Sequence, residues 1–265
     1  METYELFALR YATRAGRRPE FFLGGDPHDE PMSIDYFVWL AKSENHICLI
    51  DTGFNRAMAD KRHREFLRDP VDSLELLGVS ASQVNDVVLT HLHYDHAGNF
   101  DRFPNAKLHL QDREMGFATG RYMCCKVFSH SYEPDTVTDL VRKVYQDRVT
   151  FHDGDAQVAP GITVHLAAGH TAGIQFAKVH TARGWVVLAS DVAHFYETYQ
   201  KDRPLPQVFH VGDSYLAYRR LREAAPTPDH IIPGHDPLVL RKYPAPTPAL
   251  EGIAVRLDVA PREVS

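Results

Sequence analysis

Three imidazoles and a carboxylate lie within six residues of this 265-residue chain, in the segment HLHYDH that follows the apolar run VVLT. Its alternate members His91, His93 and Asp95 can point towards one position from an extended segment, whereas His96 turns towards a neighbouring position. Imidazole nitrogen and carboxylate oxygen are ligands that zinc prefers in proteins. The segment therefore indicates half of a two-metal hydrolase site.

Three further ligand-type residues each follow a short apolar run. His170 comes after GITVHLAAG, Asp191 after GWVVLAS and His235 after HIIPG. Short runs rich in Val, Ile and Leu and bounded by Gly or Pro are typical of buried strands. Together with the run before His91, four strand ends are predicted to deliver ligands to one edge of a sheet arrangement.

The predicted centre is open and catalytic. Three protein nitrogens and a shared carboxylate leave room for water, which distinguishes such a site from a closed structural zinc site. Two ions roughly 3.5–4 Å apart lower the pKa of bound water to about 7, so a bridging hydroxide is the expected nucleophile towards a carbonyl carbon. Asp95 is the predicted proton shuttle between this nucleophile and the leaving oxygen.

The ligand types favour zinc over other metals. A glutamate in place of His93 would indicate a diiron site, and a mostly imidazole ligand set suits zinc best among the common metals. We therefore expect two Zn²⁺ per chain, although the same ligands can also hold Mn²⁺ or Fe²⁺.

The elements that must position these ligands form two sheet-forming halves with helical connections. Thr136–Tyr145 has helical spacing after Pro134, and Asp213 is predicted to cap a helix that ends before Pro226. The pattern predicts an α/β protein with an αβ/βα sandwich, and we expect residues 1–265 to form a single domain. The strand-like runs are Phe37–Leu40, Ile47–Ile50, Val87–Thr90 and Lys107–Gln111 in the first half, and Gly161–Gly169, Ile174–Val179, Gly184–Ser190 and His230–Gly234 in the second.

Composition excludes several classes of protein. With 44% hydrophobic and 24% charged residues the chain has the composition of a globular protein, and no stretch approaches 18 consecutive apolar residues, so no membrane partner is expected. The first residues lack a basic segment followed by a long apolar one, which predicts a cytoplasmic location. A net charge of −6 without a basic stripe argues against a nucleic-acid partner. The densest basic segment, Lys61–Arg64, is interleaved with acidic residues and is predicted to be a solvated helical face.

Other reactive residue types are interpreted as structural. Three cysteines give no disulfide framework in a cytosolic chain. Asp51 either orients a metal-ligand histidine or shapes the turn before Gly53. Isolated histidines are usually hydrogen-bonded structural groups, so ten of them are excluded from the metal site. These are His28, His46, His63, His109, His130, His152, His165, His180, His210 and His230.

From Leu49 to His235 the chain resembles the metallo-β-lactamase-fold hydrolases, whose fold is a four-layer αβ/βα sandwich. The resemblance implies a first zinc on His91, His93 and His170, a second zinc on Asp95, His96 and His235, and Asp191 as the bridging carboxylate. The length, the AGHTAG loop at 168–173 and the IPGHD segment at 232–236 look most like the N-acyl homoserine lactonase branch. That branch implies quorum quenching and is compatible with a homodimer.

One position departs from the lactonase pattern. Lactonases commonly have a tyrosine three residues after the bridging aspartate, whereas this chain has His194, followed by Phe195 and Tyr196. Either His194 or Tyr196 can donate a hydrogen bond to a developing oxyanion. Aromatic and methionine residues between 115 and 132 either line an acyl pocket or pack in the core. They are Met115, Phe117, Tyr122, Met123 and Phe128.

The sequence therefore predicts a dinuclear zinc hydrolase that acts on a small molecule and opens a lactone of the N-acyl homoserine lactone type. Two alternatives remain open. The first is hydrolysis of another ester, thioester or cyclic amide at the same site. The second is a non-catalytic protein that binds a metal and a ligand, because fold alone does not dictate function.

Overall fold

In a computed structural model, which describes residues 1–263, two β-sheets pack face to face with helices on their outer sides, as in an αβ/βα sandwich. The strands are β1 (Glu5–Arg17), β2 (Pro31–Lys42), β3 (Ile47–Ile50), β4 (Glu65–Phe66), β5 (Asp86–Val88), β6 (Lys107–Gln111), β7 (Val149–His152), β8 (Ala156–Ala159), β9 (Ile162–Leu166), β10 (Gln175–Thr181), β11 (Gly184–Ser190), β12 (Ile231–Pro233) and β13 (Ala254–Arg256). The α-helices are α1 (Arg56–Arg62), α2 (Tyr94–Ala97), α3 (Asp112–Ala118), α4 (Lys126–Ser129), α5 (Pro134–Tyr145), α6 (Tyr196–Gln200), α7 (Val211–Ala224) and α8 (Leu238–Lys242).

The first sheet has the order β13-β1-β2-β3-β5-β6-β7, with β4 paired to β1. Strands β1 and β2 form a long antiparallel pair in which Phe7 lies opposite Leu40. From β3 onwards the pairing is parallel. The carboxyl ends of β3, β5, β6 and β7 therefore meet at one edge of the sheet.

The second sheet has the order β12-β11-β10-β9-β8 and is antiparallel except for the parallel pair β11–β12. The loops after β9, β11 and β12 carry His170, Asp191 and His235, and the loop after β5 carries HLHYDH. The four strand ends predicted from the sequence thus come from both sheets.

Two apolar cores follow from the alternation of side chains along β1. Because successive strand residues point to opposite faces, Leu6 joins the core between the sheets, with Trp39 and Phe176, whereas Leu9 packs beneath the helices on the outer face. Trp39 and Phe176 have no solvent-exposed surface. Burying a side chain of this size stabilises the fold by about 1.5–3 kcal/mol or more, and both sheets contribute to the same core.

The sandwich predicted from the sequence is confirmed, and several strand bounds agree to the residue, including those of β3, β6 and β11. The helix predicted after Pro134 is present as α5. The expected cap on α7 is wrong, because His210 occupies that position and its Nδ1 accepts from the backbone N–H of Asp213. Within residues 1–263, every helix is too short or too polar to pass through a lipid bilayer.

Candidate metal centre

The first group of potential ligands consists of three imidazoles and one carboxylate oxygen. His93 Nδ1 lies 3.0 Å from His91 Nε2 and 3.1 Å from His170 Nε2. Asp191 Oδ2 lies 3.2 Å from His170 Nε2 and 3.8 Å from His91 Nε2. All four side chains are buried, and their ligand atoms lie within 4.8 Å of one another.

A second group faces the other oxygen of the same carboxylate. Asp191 Oδ1 lies 2.8 Å from His235 Nε2 and 3.2 Å from His96 Nε2. Asp95 Oδ2 lies 3.8 Å from His235 Nε2 and 3.7 Å from His96 Nε2. The two oxygens of Asp191 therefore face two different sets of nitrogen atoms.

These groups fit two divalent cations. Among the described residues, His96 Nε2 and Asp191 Oδ1 are buried without a hydrogen-bond partner, although they lie only 3.2 Å apart. Buried polar atoms are rarely left unsatisfied, so such a pair is suited to hold a cation between its two atoms. Nitrogen and carboxylate ligands in this number match a zinc-type site. His91, His93 and His170 would hold one ion and Asp95, His96 and His235 the other.

The outer nitrogens of three of these imidazoles are already used by the protein. His96 Nδ1 donates to Asp51 Oδ2 at 2.7 Å, His170 Nδ1 to the carbonyl of Gln207 at 2.7 Å, and His235 Nδ1 to the carbonyl of Asp35 at 2.8 Å. A donor proton on Nδ1 leaves the lone pair on Nε2, which faces the centre. The structure thus fixes both the tautomer and the ring orientation that ligation requires.

The sequence left two interpretations of Asp51 open, an orienting partner of a ligand histidine or a turn residue, and the structure shows both. The carboxylate of Asp51 accepts from His96 and also from the N–H and hydroxyl of Thr90, each at 2.8 Å. Its backbone has φ of 60°, a left-handed conformation that aspartate tolerates better than most residues. The residue therefore orients a ligand histidine and forms the turn at the end of β3.

Glu114 is a functional residue that sequence reasoning missed. It is fully buried at the start of α3, where Oε1 accepts from the N–H of Leu92 at 3.0 Å and the hydroxyl of Tyr132 at 2.7 Å. Oε2 accepts from the hydroxyl of Thr171 at 2.6 Å and the N–H of Gly173 at 3.2 Å. One carboxylate thus ties the loop of His91 and His93 to the loop of His170.

Of the two predicted oxyanion donors, the structure brings His194 to the site and leaves Tyr196 outside it. His194 Nε2 lies 2.9 Å from Asp191 Oδ2, and burial lowers the pKa of this imidazole to about 4 despite the neighbouring carboxylate. Tyr196 begins α6 and is buried on another side, with its ring 4.9 Å from Lys242 Nζ. Its phenol oxygen has no hydrogen-bond partner among residues 1–263. Tyr196 cannot reach the centre without leaving this position.

A cavity of about 360 Å³ opens in front of the two ligand groups. Its wall includes His93, Asp95, Asp191, His194 and His235. Further lining residues are Arg14, Glu20, Phe21, Ile34, Tyr36, Arg62, Arg64, Tyr94, Val127, His130, Ser131, Pro206 and Gln207. The volume lies at the small end of the range for small-molecule sites.

The sequence interpretation of Lys61–Arg64 as a solvated face is wrong for two of its members. Arg62 and Arg64 are half-buried and line the cavity. Alternating charge is typical of a surface helix, but α1 ends at Arg62, and the left-handed residue His63, with φ of 54°, redirects the chain inwards. Lys61 remains exposed.

The aromatic residues of α3 and of the segment after it pack together and line two spaces. Phe117, Tyr122 and Phe209 line a cavity of about 380 Å³ with Ala168 and Ala172. Phe117, Tyr122 and Phe128 pack edge to face against Phe209 at ring distances of 4.7–5.6 Å. Phe117 and Phe128 also line a crevice of about 30 Å³ beside His93 and His170. Met115 and Met123 pack against the outer core. This crevice is too small for more than a few atoms of an acyl chain in the conformation seen here.

Three of the histidines excluded from the centre form a separate network across the strands of the first sheet, around Asp86. Asp86 Oδ2 accepts from His46 Nε2 and its Oδ1 from His109 Nε2, both at 2.7 Å, and His109 Nδ1 lies 3.0 Å from His152 Nε2. Asp86 stands at the start of β5, whereas the metal ligands follow the end of this strand. The network therefore joins strands rather than ligands.

Comparison with known proteins agrees with this geometry. The family model of the metallo-beta-lactamase superfamily matches residues 35–235. An N-acyl homoserine lactonase from a Bacillus species is 26% identical over 226 residues, which cover 78% of this chain and 83% of the relative. The N-acyl homoserine lactonase AttM of Rhizobium johnstonii is 29% identical over 178 residues, which cover 63% of this chain and 64% of that protein.

Solved structures show the same architecture. A crystal structure of a quorum-quenching N-acyl homoserine lactone lactonase superposes with a TM-score of 0.74 over 89% of this chain and 94% of the other. The sequence identity in that comparison is 20%, so the likeness shows the fold alone.

Proposed function

We propose that this chain, which belongs to the metallo-beta-lactamase superfamily, is a dinuclear zinc enzyme that opens a lactone ring. The chain is a metal-dependent hydrolase, as its family and its lactonase relatives indicate. Lactones are the substrate class named for those relatives, and N-acyl homoserine lactones lead within it. Hydrolysis of these signals would make the enzyme quorum-quenching.

One observation carries the dinuclear part of the proposal. The carboxylate of Asp191 directs Oδ2 towards His170 and Oδ1 towards His235, at 3.2 and 2.8 Å. A carboxylate with an imidazole set on each side is the arrangement expected of a bridging ligand between two ions. Because the set comes from loops of both sheets, we also propose that residues 1–265 act as one domain.

Zinc ions at such a centre supply a water-derived nucleophile at neutral pH and polarise the carbonyl oxygen of the substrate. The residues of the chain would bind and orient the substrate. The walls of the cavity would hold the ring against the ligand groups. In the net reaction the acyl C–O bond of the ring breaks, a new C–O bond forms to the oxygen of water, and one proton of water reaches the leaving oxygen.

We propose that two side chains assist that reaction. Asp95 lines the cavity and belongs to the second ligand group, so its carboxylate can accept a proton from the attacking water and return it to the ring oxygen. His194 is neutral near pH 7 because its pKa is about 4, so its ring carries one N–H. In the structure Nε2 lies 2.9 Å from Asp191 Oδ2, so this N–H points at that carboxylate and would have to leave it to donate to the developing oxyanion, in the role that a phenol fills in the lactonase pattern.

The presence of His194 where lactonases commonly have a tyrosine supports a second candidate function. An imidazole in place of a tyrosine changes the shape and the donor geometry of the pocket beside Asp191. The alternative substrate is therefore another ester, a thioester or a cyclic amide, hydrolysed by the same residues. A protein that binds without turnover is the third possibility, and the complete ligand set makes it the weakest of the three.

A pH-stat assay tests the proposal. Zinc-loaded protein is presented with N-acyl homoserine lactones, simple lactones, thioesters and cyclic amides, and each reaction is repeated after chelation. We expect chelator-sensitive acid release from lactones, and its loss in Asp191→Ala, because this substitution removes an oxygen from both ligand groups. Turnover of thioesters or amides alone would select the second candidate, and no turnover of any substrate would leave the binding protein.

A further inference from the structure

We propose that the cavity in front of the metal centre contains a binding site for an anionic group of the substrate, built on Arg64. This inference rests on the proposed lactone hydrolysis and narrows it to substrates that carry a carboxylate or a phosphate near the ring. Arg64 shares the cavity wall with His93, Asp95 and His235. Substrate anion and reacting carbonyl would therefore occupy one cavity.

Local structure fixes the position of this arginine. Helix α1 ends at Arg62, His63 adopts the left-handed conformation, and Glu65–Phe66 pairs with β1 opposite Thr13 and Ala12. Arg64 is held between the helix end and this short strand. Its Nε donates to the hydroxyl of Tyr94 at 3.1 Å and its Nη1 to the carbonyl of Arg62 at 2.7 Å. Tyr94 is the residue between two metal-ligand positions, so the arginine is anchored directly beside the centre.

Arg64 differs from the other two arginines of the cavity in its partners. Arg14 pairs with Glu20, and Arg62 pairs with Glu133. In the part of the chain that the structure describes, Arg64 has no carboxylate partner, and its Nη2 donates no hydrogen bond. A half-buried guanidinium thus presents its charge and an unused donor edge to the cavity.

The balance of charge in the cavity favours a negative ligand. Outside the metal ligands the lining contains three arginines and one glutamate. Two of the arginines pair with Glu20 and Glu133, so the charge of Arg64, on which Asp95 acts without forming an ion pair, remains. Burying an unpaired charge is costly, and a ligand that brings an opposite charge removes that cost. Guanidinium binds carboxylate and phosphate through paired hydrogen bonds that are shorter and stronger than those between neutral groups. The occupant that best completes this wall is therefore an anion.

The volume of the cavity limits the size of such a substrate. About 360 Å³ accommodates a small ring with one anionic substituent, but not a long acyl chain as well. N-acyl homoserine lactones carry no anionic group, so the inference keeps the proposed lactone hydrolysis but departs from the substrate named for the relatives: it ranks small acidic lactones above acylated neutral ones.

The test compares three γ-butyrolactones that differ only in the substituent at one ring carbon: a carboxylate, a phosphonate and a neutral carboxamide. Steady-state kinetics are measured for the zinc-loaded wild type, Arg64→Gln, Arg64→Lys and the control Arg56→Gln. Arg56 is a matched control because it lies on α1, is exposed and contacts the ring of Phe66 outside the cavity. The carboxylate and phosphonate arms identify which anion the site prefers.

We expect the wild type to hydrolyse one of the anionic lactones with a kcat/KM about tenfold to a hundredfold above that of the carboxamide, the range that a charged hydrogen bond supplies. Arg64→Gln should remove this preference, mainly through KM, so that its three kcat/KM values become similar. Arg64→Lys should keep part of the preference, because it retains the charge but not the paired donors. Arg56→Gln should change none of the three.

Two results would overturn the inference: no preference for an anion in the wild type, or an equal loss for all three lactones in both Arg64 variants. If none of the lactones is hydrolysed, the proposed function fails, and calorimetric binding of the carboxylate and the carboxamide decides the inference by itself. The carboxylate lactone can also bind to the metals, but it does so equally in the wild type and in Arg64→Gln. If the variant binds the carboxylate lactone more weakly and the carboxamide lactone as tightly as the wild type, the anion site is supported. Equal affinity in the two proteins rejects it.

Discussion

Replacing Glu114 by glutamine should weaken both the fold and the metal centre, although the substitution changes only one atom and one charge. In the wild type, two donors face each carboxylate oxygen, and one of each pair is a backbone N–H, from Leu92 or from Gly173. The hydroxyls of Tyr132 and Thr171 can rotate to suit a new partner, but a backbone N–H cannot. Whichever way the glutamine amide is oriented, its NH₂ group faces one of the two backbone donors.

The magnitude follows from that mismatch. An orphaned buried donor costs about 1–3 kcal/mol. The remaining hydrogen bonds lose the assistance of a charge, but the variant also avoids the burial of a carboxylate, and these two effects oppose each other. Burial indeed raises the pKa of Glu114 in spite of its four donors. We therefore expect Glu114→Gln to lower the free energy of unfolding by about 1–3 kcal/mol.

Urea unfolding of the metal-free protein measures this change, with Glu75→Gln as the control because Glu75 is exposed. The control should stay within about 0.5 kcal/mol of the wild type. Chelator competition should show zinc affinity reduced by about 10–100-fold in Glu114→Gln, since groups that orient ligands commonly have effects of this size. An unfolding midpoint and a zinc affinity equal to those of the control would refute the view that Glu114 holds the two ligand loops together.

Asp51→Asn should reduce zinc affinity by about 10–100-fold in a chelator titration, because the amide accepts less strongly from the ligand imidazole and its backbone conformation suits asparagine; unchanged affinity would contradict an orienting role. Burial, and after it repulsion from the neighbouring His109, lowers the pKa of His152 in the folded protein. As the pH falls through about 6.5, His152 therefore takes up a proton in the unfolded chain but stays neutral in the folded one. The contribution of neutral His152 to the free energy of unfolding is complete above that pH and is lost below it. Between about pH 7.5 and 5.5 the free energy of unfolding should therefore fall less in His152→Gln than in the wild type. His194→Gln should lower kcat at least tenfold, in the range of a lost oxyanion donor, while Tyr196→Phe stays within about twofold; the reverse order would return the role to the tyrosine.

The ligand residues could be predicted because their signal is local. HLHYDH is continuous in sequence, and His170, Asp191 and His235 each follow a strand whose apolar run is visible without any partner. The strands that were missed have a weaker signal. In β1 the apolar run Leu6–Leu9 is followed by Arg10, Thr13 and Arg14, and β7 and β8 are short and only partly buried.

Glu114 could not be predicted because nothing in its neighbourhood marks it. Its four donors come from Leu92, Tyr132, Thr171 and Gly173, which are separated from it by 18 to 59 residues. A glutamate in the first turn of a helix is ordinarily explained by the helix dipole. Only the structure shows how closely the two segments approach, since a Cβ at Gly173 would lie 2.0 Å from the backbone nitrogen of Glu114.

The metal ligands could be predicted from the sequence and the residues of the cavity wall could not, because the two parts of the site lie on different kinds of segment. The ligands require fixed distances, so they follow strand ends, and their imidazoles are held by buried groups such as Asp51, which themselves belong to strand ends. The cavity wall that would select the substrate is built instead on the connection after α1, where the left-handed residue His63 directly precedes Arg64. The chemistry can therefore be inferred from the sequence pattern, whereas the choice of substrate depends on a turn whose direction only the structure shows.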